Sequence, residues 1–193
     1  MDDTYPNVEA VAVDNGIIVG VGSRRDLEAE FRGTDTQLRS LNGHTLIPGF
    51  VDAHSHLSFV GVQAVSANLL PAPDGPGNSI AALQEALRQY LASDNRAQEY
   101  GVLIGFNYDD SQLLEQRHPT RQELDAVSTE LPIMAIHQSG HLGVYNSKAL
   151  EVLGINANTP NPEGGSIYRE EDGVTPNGLM AENAHISALI KLL

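Results

Sequence analysis

The spacing of apolar positions predicts a β-rich start to the chain. Apolar residues alternate with other residues on both sides of Asn15-Gly16, a pair that readily adopts the positive φ angles of a two-residue turn. We therefore predict a β-hairpin over residues 8–22. Ser23 is a good N-cap for a short helix that follows, and residues 37–41 have the pattern of another strand. These elements form a small β module.

After residue 45 the pattern changes to strands that alternate with helices. A dense apolar run from Thr45 to His56 predicts a strand. The further predicted elements are a helix begun by Ser79, strands at 102–106 and 132–136, a helix begun by a capping box at Thr120–Glu123, a helix from Asn146 to Gly154, a hairpin at 164–179 and a helix from 181. Such alternation is typical of α/β folds with parallel strands.

The charge and the residue composition exclude some classes of binding partner and of metal ligand. The formal net charge of −14 argues against nucleic acid and anionic membranes as partners, because such a surface repels phosphate. The chain has no cysteine, so a bound metal must rely on histidine and carboxylate ligands. We find no apolar run of about 18 residues that could span a bilayer and no basic-then-apolar signal pattern at the N-terminus. The sequence therefore predicts a soluble, cytoplasmic protein.

His54 and His56 are the first candidates for metal binding. Side chains two residues apart on a strand point to the same side, so both imidazoles could bind one divalent ion. A bare His-x-His arises often by chance. This pair, however, ends the apolar run Leu46–Val51, at the carboxyl end of a predicted strand. Catalytic residues of α/β barrels lie at such strand ends.

The motif around these histidines resembles a known family. Pro48-Gly-Phe-Val-Asp-Ala-His-Ser-His56 is similar to the strand-1 signature of the amidohydrolase superfamily. The later stretches resemble the YtcJ-like, N-substituted formamide deformylase-like subgroup: Gly105-Phe-Asn-Tyr-Asp109, Ser139-Gly-His141, Asn146-Ser-Lys-Ala-Leu150, Gly164-Gly-Ser-Ile-Tyr-Arg169 and Gly178-Leu-Met-Ala-Glu182. The resemblance covers essentially the whole chain, but only the N-terminal part of a family member.

The resemblance implies a fold and a domain plan. The expected fold is α/β, a TIM-type (β/α)8 barrel preceded by a small β-sandwich module. Residues 1–45 would belong to that module, and residues 46–193 would start the barrel, with an inserted α/β segment. A barrel needs about 250 residues, so we expect a truncated chain. Its open sheet edges and apolar helix faces would favour a homo-oligomer.

The resemblance also implies an activity. The expected reaction is hydrolysis of a non-peptide C–N bond of a small molecule by metal-activated water. His54 and His56 would bind the divalent metal, with zinc preferred and iron or manganese as alternatives. The general base would be an aspartate beyond Leu193.

The resemblance suggests three further site residues. Glu182 would face the metal or the substrate, with a solvated position in the first turn of a helix as the alternative. His141 would face the substrate, with a structural histidine as the alternative, and Asp109 would help to shape the pocket.

Other polar residues carry weaker expectations. Asp109 and Asp110 are adjacent on a predicted strand and should therefore point to opposite faces. A metal pair of His137 and His141 would span a glycine-containing turn that fixes no geometry. The remaining histidines, at positions 44, 118 and 185, are predicted to lie on the surface or in loops.

Two rival functions remain open. The chain could be a catalytically incomplete remnant that serves as a structural or binding module. It could also belong to a hydrolase of the same fold that cleaves an ester or a lactone.

Overall fold

The structure, a computed structural model, describes residues 7–52 and 57–193. Contacts between residues divide the chain into two compact units, one containing residues 7–52 and the other containing residues 57–193. The domain boundary that we place after residue 45 stays a prediction.

The N-terminal unit contains the predicted hairpin and helix. Strands β1 (Ala10–Asp14) and β2 (Ile17–Gly22) pair antiparallel. Asn15 and Gly16 turn the chain between them with φ angles of 48° and 80°. Helix α1 (Arg24–Phe31) follows, and its N-cap Ser23 accepts a hydrogen bond from the Asp26 backbone N–H. Local turn and cap chemistry predicted these elements correctly.

Two strands predicted near the end of this unit are wrong over the residues that the structure describes. Residues 37–41 and 45–52 form no strand, and Phe50 and Val51 are 92% and 93% exposed. A strand needs a hydrogen-bonded neighbour, which an apolar pattern alone cannot supply. The described N-terminal sheet has two strands, so a β-sandwich also stays a prediction.

The C-terminal unit is a mixed α/β structure. Its elements are α2 (Leu57–Ala64), β3 (Ala67–Asn68), α3 (Ile80–Ser93), α4 (Arg96–Tyr100), β4 (Leu103–Tyr108), a 3₁₀ turn (Asp110–Gln112), α5 (Arg121–Asp125), β5 (Ile133–His137), β6 (Leu142–Tyr145), α6 (Ser147–Leu153), β7 (Gly165–Arg169), β8 (Pro176–Glu182) and α7 (Asn183–Leu192). Six strands form one sheet in the order β3-β4-β5-β6-β8-β7.

Strand directions in this sheet are mixed. Strands β3, β4 and β5 are parallel. Strand β6 is antiparallel to both β5 and β8, so β8 runs in the same direction as β5. Strand β7 pairs antiparallel with β8, as the predicted hairpin requires. The carboxyl ends of β4, β5 and β8 therefore lie at one edge of the sheet, together with the start of β6.

The core lies on both faces of the sheet. Consecutive residues of β4, such as Leu103 and Ile104, point to opposite faces and contribute to two different apolar clusters. One cluster includes residues of α3 and α5, and the other includes residues of α6 and α7. Burial on both faces explains why β4 and β5 are continuous apolar runs rather than alternating ones.

Most helix starts follow their sequence signals. Ser79 caps α3 by accepting a hydrogen bond from the Ala82 backbone N–H. Thr120 and Glu123 form the predicted capping box. Helix α6 ends at Gly154, which has the left-handed φ of 69°. Strand β6 was missed, because residues 137–141 indicated only a turn. Among the described helices, none is long and apolar enough to cross a membrane.

Candidate functional site

Polar side chains gather at the sheet edge where β4, β5 and β8 end. Tyr108, His137 and Glu182 are the last residues of these strands, and His141 directly precedes β6. In open α/β sheets, ligands bind at the carboxyl ends of the strands. This edge of the sheet is therefore the candidate location of a ligand site.

His141 and Glu182 form a pair at this edge. His141 Nδ1 lies 2.9 Å from Glu182 Oε2. The Glu182 backbone N–H donates to the His141 carbonyl oxygen at 2.8 Å, which fixes the two residues side by side. Their side chains are 60% and 57% exposed. Two candidates that the sequence suggested separately thus lie together and face solvent.

The backbone of Glu182 is strained. Its φ of 52° and ψ of −129° lie outside the regions that non-glycine residues normally adopt. Such a conformation costs about 1–3 kcal/mol and is concentrated at functional sites. Although Glu182 is the N-cap of α7, its side chain makes no capping hydrogen bond. The carboxylate is turned toward His141 instead of toward the helix.

The donor types of this pair suit a divalent metal. Imidazole nitrogen and carboxylate oxygen are both ligands of zinc, iron and manganese. Glu182 could bind an ion directly, with His141 holding the carboxylate in position. His54 and His56, the other predicted ligands, lie outside the described residues. Their relation to Glu182 stays a prediction.

A second group of donors follows β4 and β5. Ligand atoms of Asp109, Asp110 and His137 all lie within 4.8 Å of one another. Asp110 Oδ1 is 3.0 Å from His137 Nε2 and 3.9 Å from His118 Nδ1. The Tyr108 hydroxyl is hydrogen-bonded to His118 Nδ1 at 2.9 Å. Burial is the main reason that the pKa of His118 lies below its usual value, and the negative charge of Asp110 opposes that shift.

This group corrects one expectation and refines another. Asp109 and Asp110 do not point to opposite faces of a strand, because β4 ends at Tyr108 and a 3₁₀ turn starts at Asp110. His118 lies in a loop, as predicted, but its side chain is only 26% exposed and lies against Tyr108 and His137. The turn is what brings the two carboxylates together.

Asp109 is held by its own turn. It accepts hydrogen bonds from the Ser111 backbone N–H at 3.0 Å, the Ser111 hydroxyl at 2.7 Å and the Gln112 amide at 3.0 Å. The bonds from the side chains of Ser111 and Gln112 are the main reason that the pKa of Asp109 is below its usual value. Asp109 also lines a cleft of about 260 Å³, which it shares with Leu70, Pro71, Ala72, Pro73, Asp74, Asn107, Gln112 and Gln138. That substrate enters this cleft stays a prediction.

His185 is a buried residue of α7, contrary to the expectation of a surface or loop position. It is 0% exposed, and its Nδ1 is hydrogen-bonded to the Tyr145 hydroxyl at 2.8 Å. Gly143 makes room for it, because a Cβ at that position would lie 2.5 Å from the ring. Burial lowers the pKa of His185 to about 4, so the ring is neutral at pH 7.

Sequence reasoning missed the grouping of Asp110, His118 and His137. The sequence did contain a signal, because Asp110 and His137 each come at the end of a buried strand. Parallel pairing of β4 with β5 brings these ends together, but the sequence of either strand does not indicate which strand it pairs with.

Comparison with known proteins gives the family. A sequence model of the amidohydrolase family matches residues 37–192. The N-substituted formamide deformylase of Arthrobacter pascens is 37% identical over 179 residues, which are 91% of this chain and 31% of that protein. The putative amidohydrolase YtcJ of Bacillus subtilis (strain 168) is 33% identical over 176 residues, which are 91% of this chain and 32% of that protein.

The fold is similar to that of a solved structure. The crystal structure of an uncharacterized metal-dependent hydrolase from Pyrococcus horikoshii OT3 matches with a TM-score of 0.50 and 22% identity, covering 94% of this chain and 32% of that one. The chain thus spans about a third of the length of the relatives described here. Since the family match includes nearly all of the C-terminal unit and the last part of the N-terminal one, the chain belongs to the amidohydrolase family, as its motifs indicate.

Proposed function

We propose that this chain is the N-terminal portion of a metal-dependent amidohydrolase that hydrolyses a non-peptide C–N bond, such as that of an N-substituted amide. The observation that carries the proposal is the His141–Glu182 pair at the carboxyl edge of the sheet. Family membership supports a hydrolase, and the name of the Arthrobacter relative supports an amide-type substrate.

The proposed metal ligands in this chain are His54, His56 and Glu182. Zinc is the preferred ion, with iron or manganese as alternatives, because the ligands are imidazole and carboxylate without thiolate. When bound, such an ion lowers the pKa of a water ligand toward about 7 and polarises a carbonyl group. The aspartate that acts as general base is proposed to lie outside these 193 residues.

His141 is proposed to position Glu182 and to contact the substrate. If its Nδ1–H donates a hydrogen bond to the carboxylate, the ring is fixed and the other ring nitrogen, Nε2, is left to accept a hydrogen bond from an N–H or O–H of the substrate. The bond at 2.9 Å between exposed groups would be weak by itself. The hydrogen bond between the two main chains holds the pair side by side, which the side chains alone would not do.

The rest of the substrate is proposed to lie in the cleft beside Asp109. The cleft is bordered by the loop at 70–74 and by Asn107, Gln112 and Gln138. Asn107, in the wall of this cleft, has a positive φ of 72°. The amide, carboxylate and proline side chains that line the cleft suit a small polar molecule with an apolar substituent.

The complete protein is proposed to form a TIM-type (β/α)8 barrel with a β-sandwich module, and to work in the cytoplasm. The parallel strands β3, β4 and β5 would belong to that α/β architecture. Self-association of the present chain is supported by its exposed apolar side chains, since Ile190 is 70% exposed and Leu193 is 62% exposed.

The direct test is a substrate panel on the full-length protein. It compares N-substituted formamides and other amides with esters and lactones of matched size. We expect turnover of amides, and a loss of kcat of at least about 100-fold in Glu182→Gln, because that carboxylate would bind the ion that activates water. Glu163→Gln is the matched control at an exposed position. Ester turnover without amide turnover would contradict the bond assignment, and no turnover in a metal-loaded protein would favour a non-catalytic remnant.

A further inference from the structure

The turn between β5 and β6 is held by the side chain of His137, the last residue of β5. The main chain of the turn is closed by a hydrogen bond from the Gly140 N–H to the His137 carbonyl oxygen at 2.9 Å. The His137 ring lies over the same turn, where its Nδ1 accepts from the Ser139 backbone N–H at 3.2 Å and lies 2.9 Å from the Ser139 hydroxyl. Since Nδ1 is an acceptor, the hydroxyl donates to it, and the proton of the neutral ring lies on Nε2.

Asp110 favours this tautomer of His137. Its Oδ1 lies 3.0 Å from His137 Nε2. The contact is not aligned as a hydrogen bond, but a negative charge beside Nε2 stabilises a proton on that nitrogen. The ring is also packed edge-on against Tyr108, with 5.2 Å between the ring centroids, and His137 is only 8% exposed. His137 Nδ1 is therefore a fixed, buried acceptor at the end of β5.

Ser139 connects this acceptor to His141. The Ser139 hydroxyl oxygen accepts a hydrogen bond from the His141 backbone N–H at 3.2 Å. The His141 carbonyl oxygen accepts from the Glu182 backbone N–H at 2.8 Å. Both backbone groups of His141 are thus held, one by Ser139 and the other by the residue that its ring contacts.

This support matters because the His141 and Glu182 side chains face solvent. They are 60% and 57% exposed, so the contact between them contributes little by itself. A side chain holds a partner in one orientation only when its own position is fixed by surrounding residues. The hydrogen bonds through Ser139 link the exposed pair to the buried ring of His137.

We propose that His137 and Ser139 are positioning residues that hold His141 beside Glu182, with Asp110 selecting the tautomer of His137. The inference rests on the proposed function, in which His141 positions Glu182 and contacts the substrate. His137 and Ser139 act through His141 and do not themselves contact the reacting atoms.

The first test measures ring tautomers by nitrogen NMR of the chain labelled with ¹⁵N at histidine. It is made without substrate or metal at pH 8, above the ordinary histidine pKa of about 6.5. We expect the His137 ring to carry its proton on Nε2 and the His141 ring to carry its proton on Nδ1. In Ser139→Ala, His141 should change to the mixture of tautomers of an unrestrained ring.

Two variants serve as controls for the tautomer measurement. Ser139→Thr keeps the hydroxyl and should keep the wild-type signals of both rings. Ser93→Ala also removes an exposed hydroxyl that donates to the main chain, in this case on α3, and should leave both rings unchanged.

The second test measures turnover of an amide substrate by the full-length protein. Ser139→Ala should lower kcat/KM at least about tenfold, because misplacing an active-site group by about 1 Å can cost about 100-fold. The circular dichroism spectrum should stay native, since Ser139 is exposed. Ser139→Thr should restore most of the activity, and Ser93→Ala should have no effect.

Three results would overturn the inference. They are a His137 ring with its proton on Nδ1, His141 signals that Ser139→Ala leaves unchanged, and an unchanged kcat/KM in Ser139→Ala. A full-length protein that hydrolyses no amide would instead refute the proposed function. In that case the tautomer measurements, which need no substrate, still decide whether Ser139 holds His141 in place.

Discussion

His185 makes the stability of the chain depend on pH in a way that can be calculated. The ring is fully buried against Tyr145, and burial lowers its pKa from the ordinary 6.5 to about 4. His141 lowers this pKa further, whereas Glu182 raises it. In the unfolded chain the ring regains its ordinary pKa. Between these two values, the unfolded state binds a proton that the folded state does not.

The sign and size of the effect follow from linkage. As the pH falls below 6.5, protonation of the unfolded state reduces the free energy of unfolding. The contribution is fully present above pH 6.5 and is lost as the pH falls toward 4, for a total of about 3 kcal/mol. At pH 5 the loss amounts to about 2 kcal/mol.

The measurement is urea unfolding at pH 7 and pH 5, followed by circular dichroism, with a chelator present to exclude metal binding. Carboxylates also contribute to acid sensitivity, so the wild type is compared with His185→Leu. In this variant the Tyr145 hydroxyl can keep its bond to the carbonyl oxygen of residue 185, at 3.2 Å in the wild type. Between pH 7 and pH 5, we expect the free energy of unfolding to fall by about 2 kcal/mol more in the wild type than in His185→Leu.

His44→Gln is the control, because His44 is exposed. It should keep the pH dependence of the wild type. Equal losses in the wild type and in His185→Leu would refute the reasoning, since they would mean that His185 is not held neutral in the folded state.

Three further predictions concern packing and assembly. Asn146→Ala should lower the free energy of unfolding by at least about 2 kcal/mol, measured by urea unfolding, because this buried side chain bonds to four backbone groups; an unchanged value would contradict it. Gly143→Ala should lower the free energy of unfolding by about 1–3 kcal/mol in the same assay, since the new Cβ would clash with the buried ring of His185. Gly61→Ala, where a Cβ meets open space, should not lower it, and equal effects of the two substitutions would be inconsistent with the clash. The chain should self-associate through exposed apolar side chains such as Ile190, as measured by light scattering, and a monomer at high concentration would oppose this.

Local chemistry explains what the sequence could predict. The turn at Asn15-Gly16, the caps at Ser23 and Ser79 and the capping box at Thr120 depend on residues close in the chain. Each satisfies backbone groups with side chains a few positions away, so the pattern is visible without a fold. These elements form where they were predicted.

Pairing between distant segments explains what could not be predicted. Residues 45–52 are apolar enough for a strand, but they form none, because an apolar pattern does not specify a pairing partner. The burial of His185 on α7 depends on space that Gly143 provides on β6, a strand distant in sequence. The group of Asp110 and His137 depends on parallel pairing of β4 with β5.

The candidate site was predictable in part. Glu182 and His141 were each singled out by family resemblance, and they lie in contact. Nothing in the sequence indicated their bond or the strained φ of Glu182, because both arise where β8 meets α7. The prediction that His54 and His56 bind a metal depends on the motif alone, since these residues lie outside the described ones.

The most direct test of the account is the zinc affinity of the chain with and without the Glu182 carboxylate. We predict one equivalent of zinc, an affinity at least about tenfold lower in Glu182→Gln, and no change in Glu163→Gln. An affinity that Glu182→Gln leaves unchanged, or a chain that binds no zinc while His54 and His56 are present, would contradict the proposal that these residues share one metal site.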